Sequence, residues 1–117
     1  MVIRRGDIWW VDFGEARGGS RAAFRRPAVI VQSDHINLTA IRTTIVVPLT
    51  SSQERRHPPQ NILLPAKATR LTRDSYAVPT EIEVVEKGEL LDRVGRLPDR
   101  WLDLIDQSLL DIFDLTG

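Results

Sequence analysis

Two adjacent arginines, Arg25 and Arg26, stand directly before an apolar segment, and their type and position suggest chemistry. Pro27 fixes its own φ angle and disfavours a helical conformation for Arg26, so we expect Arg26 to be extended. The apolar, mostly β-branched residues at 28–31 predict a short buried strand, and turn-forming residues at 32–34 end it. A guanidinium held at the entrance of a strand is well suited to binding phosphate.

Thr50 and Ser51 lie at the end of a second predicted strand, residues 44–50. If the two strands are antiparallel neighbours, the end of this strand meets the entrance that carries Arg26. A guanidinium and a hydroxyl at one place can hold a phosphodiester. RNA provides its own nucleophile, the 2′-hydroxyl, so such a site needs positioning, charge neutralisation and a proton transfer that contributes about 10²–10⁴-fold in rate.

Patterns for other kinds of catalytic site are absent from the sequence. The two histidines, His35 and His57, are isolated, and no metal-binding spacing such as HExxH occurs. Neither a phosphate-binding GxxxxGK[ST] loop nor a GxSxG nucleophile motif is present. We therefore predict no metal, no cofactor and no nucleophile supplied by the protein.

Simpler explanations exist for each of the residues singled out above. A single arginine before proline most often pairs with a surface carboxylate, and a Thr-Ser-Ser sequence is most often part of a turn. Trp9 and Trp10 are more often core or interface residues than platforms for RNA bases. On composition and spacing alone, the sequence predicts a small β-rich domain that can bind phosphate.

The charges are unevenly distributed, although the formal net charge of the chain is zero. Residues 1–60 carry nine arginines against five acidic residues, whereas residues 61–117 carry seven basic against eleven acidic residues. Fourteen of the 16 basic residues are arginine, which binds phosphate with two parallel hydrogen bonds. This composition favours phosphate binding, although a bias toward arginine with solvated surface charges explains the same counts.

Compartment and membrane association can also be predicted from the sequence. No stretch approaches the roughly 18 apolar residues of a membrane span, and the first residues, MVIRRGD, have no apolar signal-peptide core. The chain has no cysteine, which excludes disulfides and favours a reducing compartment. We expect a cytoplasmic protein without a membrane partner.

Short strands followed by one helix predict the fold that positions these residues. Besides the two strands above, β-forming residues predict strands at residues 8–12, 61–64, 75–78 and 80–85, and Pro48 indicates an edge or a bulge. A long glycine-rich loop at 14–24, an irregular stretch at 66–73 and a connector at 88–97 join them, and the connector has room for a short helix and for a strand around residues 93–96. Apolar residues recur at helical spacing after Pro98. We expect a single domain, residues 1–117, that forms a small, mainly β barrel with a C-terminal α-helix.

The sequence resembles the MazF/PemK (Kid) family of toxin–antitoxin ribonucleases in several short pieces, which follow the family order across nearly the whole chain. They are RGDIW at 5–9, RPAVIVQSD at 26–34, VVPLTS at 46–51, RDS at 73–75 and the segment 90–97. The resemblance implies an SH3-like barrel, a homodimer, and sequence-specific, metal-independent cleavage of single-stranded mRNA by its 2′-hydroxyl. The products would be a 2′,3′-cyclic phosphate and a 5′-hydroxyl. It also implies neutralisation by a cognate antitoxin with a disordered tail.

The resemblance also implies roles for individual residues. By position, Arg26 is the family's active-site arginine, which stabilises charge at the scissile phosphate and donates a proton, and Thr50 hydrogen-bonds that phosphate. Many relatives have Gly-Ser-Glu where this chain has Arg21 as the third residue, so Glu81 is the candidate general base and Arg21 is expected to contact RNA phosphates. The other residues expected along the RNA are Arg17, Ser20, Arg25, Ser51, Ser52, Gln53 and Arg55.

Two other functions are open on the sequence. The first is a barrel toxin that inhibits a protein target such as gyrase, as the CcdB toxins do, and that depends on its C-terminal residues more than on Arg26. The second is an SH3-like binding module without chemistry. Incubation with a long RNA and EDTA separates the three hypotheses, because only a ribonuclease releases discrete fragments.

Overall fold

The computed structural model describes residues 1–14 and 25–115, which form seven strands and three α-helices. The strands are β1 (Asp7–Asp12), β2 (Arg25–Ile30), β3 (Thr43–Thr50), β4 (Ile62–Leu64), β5 (Ser75–Ala77), β6 (Glu83–Glu86) and β7 (Leu90–Arg96). The helices are α1 (Asp34–Asn37), α2 (Ala66–Thr69) and α3 (Asp99–Ile112). The prediction of a mainly β fold with a C-terminal helix is confirmed.

All strand pairs are antiparallel, and the strands follow the order β4-β5-β3-β2-β1-β7, with β6 paired to β3 outside this path. Within residues 1–14 and 25–115, the terminal strands β4 and β7 do not pair with each other. The sheet is therefore open in its hydrogen bonding. This arrangement is compatible with the predicted barrel shape, but the ladder does not close.

β3 is the central strand of this arrangement and changes neighbours along its length. On one side, residues 43–46 pair with β6 and residues 49–50 pair with β5, while β2 pairs with residues 46–48 on the other side. The prediction that Pro48 marks an edge or a bulge is wrong, because Pro48 lies in this central strand. Its carbonyl accepts a hydrogen bond from the backbone N–H of Val78 at 3.0 Å, in the gap between β6 and β5. The backbone N and O atoms of one strand residue point to the same side of the strand. The nitrogen of Pro48, which has no hydrogen to donate, therefore faces this gap, and no hydrogen bond to β2 is lost.

Two apolar clusters lie on the two faces of the sheet, since alternate residues of a strand point in opposite directions. One cluster is fully or nearly fully buried under α3, and it includes Ile8, Val29, Val47, Leu49, Leu64, Leu97, Leu102 and Ile105. The other lies on the opposite face and includes Ile3, Trp9, Val11, Ala28, Ile30, Val46, Val85 and Leu90. Burial on both faces explains why the central strands read as continuous apolar runs.

α3 is the long helix that covers the first cluster. It begins at Asp99, after Pro98 at the N-cap position, and Leu102 and Ile105 are its buried residues. The ion pair between Arg5 and Asp106 joins this helix to the segment before β1. In the part of the chain that the structure describes, no helix combines the length and apolar character that a membrane span requires.

Two local predictions differ from the structure, and a third is confirmed. Residues 66–69, predicted to be irregular, form the single turn α2. The connector at 88–97 contains the end of a 3₁₀ turn, Lys87–Glu89, and the predicted strand, which is β7 and begins earlier than expected, at Leu90. The strand predicted at 80–85 starts only at Glu83, because Pro79 begins a 3₁₀ turn, Pro79–Glu81, which proline's fixed φ favours. Glu81 therefore leaves the sheet before β6 begins.

Candidate active site

A groove of about 350 Å³ lies where β2 begins and β3 ends. Arg25, Arg26 and Pro27 of β2 and Leu49, Thr50 and Ser51 at the end of β3 line its first wall. Ala28 pairs with Pro48 across these antiparallel strands, and the same register continued by two residues places Arg26 opposite Thr50. Two residues far apart in the sequence thus face one groove.

The local sequence explains how these two residues are held. Arg26 is extended within β2 and pairs with Val11 of β1, as expected for a residue that precedes proline. Thr50 is the last residue of β3, where it pairs with Tyr76 of β5. Its hydroxyl oxygen accepts a hydrogen bond from the backbone N–H of Ser52 at 3.3 Å, which turns the chain out of the strand. Both side chains are half-buried.

The second wall of the groove comes from the segment between α2 and β5, and it contributes Arg70, Leu71, Thr72, Arg73 and Ser75. Hydrogen bonds at both ends of this segment fix its course. The Asp74 carboxylate accepts from the backbone N–H of Ala66 at 2.8 Å, and the Thr69 hydroxyl accepts from the N–H of Leu71 at 3.1 Å. Sequence reasoning missed Arg70 and Arg73 as site residues, and its only indication was the RDS match at 73–75.

The groove is cationic over an apolar floor. Four arginines line it, Arg25, Arg26, Arg70 and Arg73, and none of its described lining residues is acidic. Its apolar lining includes Trp10, Leu49, Leu71 and Val94. Elsewhere in the described chain, Arg5, Arg55, Arg93 and Arg96 each form an ion pair with a carboxylate. Such a lining fits a polyanion that also carries flat apolar groups, as single-stranded nucleic acid does.

Trp10 is the one aromatic side chain among the described lining residues. It pairs with Pro27 across β1 and β2, and 39% of its surface is exposed, whereas its neighbour Trp9 is 7% exposed. An accessible indole at the edge of a cationic groove can stack on a base.

Four of the predicted site residues do not line the groove. Ser52 and Gln53 begin the next turn, in which the Ser52 hydroxyl oxygen accepts from the backbone N–H of Glu54 at 3.3 Å. Arg55 and Glu81 pair with each other, with 2.6 Å between Arg55 Nη1 and Glu81 Oε2. The structure therefore brings together Arg25, Arg26, Thr50 and Ser51, but it does not bring Glu81 to them.

The predicted RNA-binding residues Arg17, Ser20 and Arg21 lie outside the described residues. As for a metal, no three His, Cys, Asp or Glu side chains of the described ranges gather in a group that could hold one. The described residues of the groove thus offer phosphate-binding and hydroxyl groups, and no carboxylate.

Comparison with protein families gives one match over nearly the whole chain. The family described as PemK-like, MazF-like toxin of type II toxin–antitoxin system matches residues 4–113. This range includes both walls of the groove.

Curated relatives match over similar lengths. Endoribonuclease MazF6 from Mycobacterium tuberculosis (strain ATCC 25618 / H37Rv) is 40% identical over 115 residues, which cover 98% of this chain and 100% of the relative. Endoribonuclease EndoA from Bacillus subtilis (strain 168) is 28% identical over 109 residues, which cover 93% of this chain and 92% of the relative.

Solved structures share the fold at lower identity. An endoribonuclease in complex with its cognate antitoxin, from a mycobacterial species, has a TM-score of 0.76 and 22% identity, covering 99% of this chain and 97% of that one. A MazE–MazF crystal structure (Form-III) from Deinococcus radiodurans has a TM-score of 0.78 and 18% identity, covering 99% and 100%. At these identities the similarity supports the fold alone.

Proposed function

This chain belongs to the PemK-like, MazF-like toxins of type II toxin–antitoxin systems, and on that premise we propose that it is an endoribonuclease that cleaves single-stranded mRNA. The observation that carries the proposal is the convergence of Arg26 and Thr50 in one cationic groove, from two antiparallel strands. The curated relatives named above are endoribonucleases, whereas no observation favours a gyrase inhibitor or a module without chemistry.

The proposed reaction is an internal transesterification. The 2′-oxygen of a ribose forms a bond to the adjacent phosphorus, the bond from phosphorus to the 5′-oxygen breaks, and the products carry a 2′,3′-cyclic phosphate and a 5′-hydroxyl. The 2′-hydroxyl proton passes to a base, and the leaving 5′-oxygen takes up a proton. No cofactor or metal enters this balance.

Arg26 stabilises the negative charge that builds up on the non-bridging oxygens and supplies the proton to the leaving oxygen. Thr50 donates a hydrogen bond to the same phosphate and fixes its orientation. Both groups are in position before any bond changes, because their strands hold them in place. Positioning and electrostatic stabilisation of this kind account for much of the rate of phosphoryl transfer.

Glu81 is the proposed general base, and its ion pair with Arg55 sets a condition on that role. The carboxylate can accept the 2′-hydroxyl proton only after Arg55 releases it and it reaches the groove. Arg55, proposed to bind RNA phosphate, would exchange Glu81 for that phosphate when RNA arrives. RNA binding would thus free Glu81 to act as the base, while Arg55 contacts an RNA phosphate.

The remaining parts of the proposal concern RNA contacts and partners. Ser51, Ser52 and Gln53 continue from Thr50 along the RNA, Arg25 adds charge at the groove, and Arg17, Ser20 and Arg21 contribute from the first loop. A cognate antitoxin would occupy the same cationic groove with an acidic, disordered tail that folds on binding. We propose that the chain is one toxin domain that acts in the cytoplasm as a homodimer, which exposed apolar side chains such as Leu91, Leu110 and Phe113 support.

The decisive experiment maps RNA ends. Purified protein is incubated with a long single-stranded RNA in the presence of EDTA, and fragments with 5′-hydroxyl ends are ligated and sequenced. The proposal expects a few recurrent cut sites with 2′,3′-cyclic phosphate on the upstream fragments. Intact RNA, or fragments with 5′-phosphate ends, would contradict it.

A further inference from the structure

We propose that Arg70 is a positioning residue that binds a phosphate of the RNA backbone next to the one that is cleaved. The inference rests on the proposed function, which makes RNA the ligand of the groove and the phosphate at Arg26 the one that is cleaved. It gives the second wall of the groove a role in binding RNA phosphate. The resemblance to known toxins did not assign such a role to this wall.

The first argument is the backbone of Arg70. This residue is the C-cap of α2 with φ 67° and ψ 14°, a left-handed conformation that glycine usually occupies. An L-residue pays roughly 1–2 kcal/mol for it. Its N–H donates to the carbonyl of Ala66 at 2.8 Å, which ends the helix and sends residues 71–73 back along the groove. The strained conformation thus places an arginine, where glycine is usual, at a point from which its side chain lines the groove.

The second argument is the course of the side chain. Gly95 of β7 lies beneath the stem of Arg70, and a Cβ atom built on Gly95 would be 3.1 Å from Arg70 Cδ and 3.6 Å from Nε. The missing side chain of Gly95 therefore leaves the space that the stem occupies. With its stem packed on a strand, the guanidinium has less freedom to lose when it binds a ligand.

The third argument is charge. Arg70 lines the same groove as the β2 arginines, and in the described part of the chain neither Arg70 nor Arg73 takes part in an ion pair. Single-stranded RNA carries one phosphate per nucleotide. Arg26 and Arg70, which line one groove from different segments of the chain, can thus each bind one phosphate of the same strand, and Arg70 fixes where the scissile phosphate stops.

The test measures binding without cleavage. A fluorescent single-stranded RNA of mixed sequence, about 20 nucleotides long and 2′-O-methylated throughout, is titrated with protein between about 50 and about 200 mM salt. Each phosphate contact contributes about 0.7 to the slope of log K against log salt for single strands. Arg70→Ala is expected to reduce the slope by about 0.7 and to weaken binding by roughly 10-fold or more.

Arg42→Ala is the matched control, because Arg42 is an exposed arginine outside the groove, and it should leave the slope unchanged. Arg70→Lys keeps the charge and should restore the slope, while the loss of two parallel hydrogen bonds keeps the affinity below that of the wild type. An Arg70→Ala slope equal to that of Arg42→Ala would overturn the proposal.

Gly95→Ala provides a second, independent variant. Its added methyl group pushes on the flexible stem of Arg70, and the next nearest atoms are also those of Arg70. Binding should weaken in the otherwise wild-type chain and should not weaken further in the Arg70→Ala background. Equal losses in both backgrounds would show that Gly95 acts independently of Arg70 and would contradict the argument from the stem.

The two proposals can fail separately. If the wild type binds the methylated RNA but never cleaves natural RNA, the nuclease proposal fails while the slope experiment still tests Arg70. If natural RNA is cleaved and the Arg70→Ala slope is unchanged, Arg70 alone is excluded.

Discussion

Arg26 and Thr50 each lie two residues beyond the last paired residues of β2 and β3, Ala28 and Pro48, and both line the same groove. Neither strand end could form this arrangement alone, because the groove exists only where the two ends meet. The guanidinium and the hydroxyl have different tasks in the proposed reaction. Substitutions of Arg26 and of Thr50 are therefore expected to lower the cleavage rate by different amounts.

Arg26→Ala is expected to lower the cleavage rate by at least about 10²–10³-fold, the usual loss when a group that stabilises transition-state charge is removed. Arg26→Lys keeps the charge without the planar fork and should retain intermediate activity. Single-turnover cleavage of a mapped RNA site measures both, with thermal unfolding as the control for folding. Wild-type cleavage by Arg26→Ala would remove this residue from the mechanism.

Thr50→Val, which keeps the shape and removes the hydroxyl, is expected to slow cleavage by roughly 10–150-fold, since a hydrogen bond to a charged group contributes about 1.5–3 kcal/mol. Thr50→Ser keeps the hydroxyl, including its acceptor role toward the N–H of Ser52, and should retain most of the activity. The two variants are compared by single-turnover rate. Equal activity in both would show that the hydroxyl has no part in the reaction.

Glu81→Gln removes the proposed base and should lower the rate by about 10²-fold or more, while the affinity for methylated RNA changes little. Glu54→Gln is the control, because Glu54 is an exposed acidic residue in the same turn as Arg55. The rate of RNA cleavage is measured for both. If Glu81→Gln lowers the cleavage rate no more than Glu54→Gln does, Glu81 is not the base and only pairs with Arg55.

Trp10→Ala is expected to weaken the binding of methylated RNA by roughly 5–150-fold, because stacking on an aromatic ring contributes about 1–3 kcal/mol per base. Trp10→Phe keeps a ring and should recover most of the affinity. Fluorescence anisotropy gives the affinity, and urea unfolding checks stability. If the Trp10→Ala and Trp10→Phe variants bind RNA equally well, no base stacks at this position.

Ile105→Ala and the neighbouring Leu104→Ala test how α3 is held. Ile105 is fully buried against the sheet, whereas 41% of the Leu104 surface is exposed. The first substitution is expected to lower the free energy of unfolding by about 2–5 kcal/mol and the second by less than about 0.5 kcal/mol. Urea unfolding measures both, and similar losses would contradict the packing described. Neither residue lines the groove, so both folded variants should still cleave RNA.

The strands and the terminal helix could be predicted from the sequence because their patterns are local. The apolar runs of β2 and β3 each span only a few residues. The helical spacing after Asp99 spans only a few turns. The pairing that brings Arg26 to Thr50 could be stated only as a condition, since register depends on residues distant in sequence.

The second wall of the groove could not be predicted for the same reason. α2 is a single turn that ends at an arginine in a left-handed conformation, so the usual glycine is absent. The position of Arg70 depends on Gly95, which lies in another strand. Glu81 was expected in a strand, but the 3₁₀ turn after Val78 places it beside Arg55 instead.

The groove takes its lining from segments made early and late in synthesis, from Trp10 of β1 to Val94 of β7. A nascent chain that has left the ribosome only as far as β3 has the Arg26 and Thr50 strands, but it lacks β5, which pairs with the end of β3, and the whole second wall. An unfinished toxin therefore has no complete RNA groove.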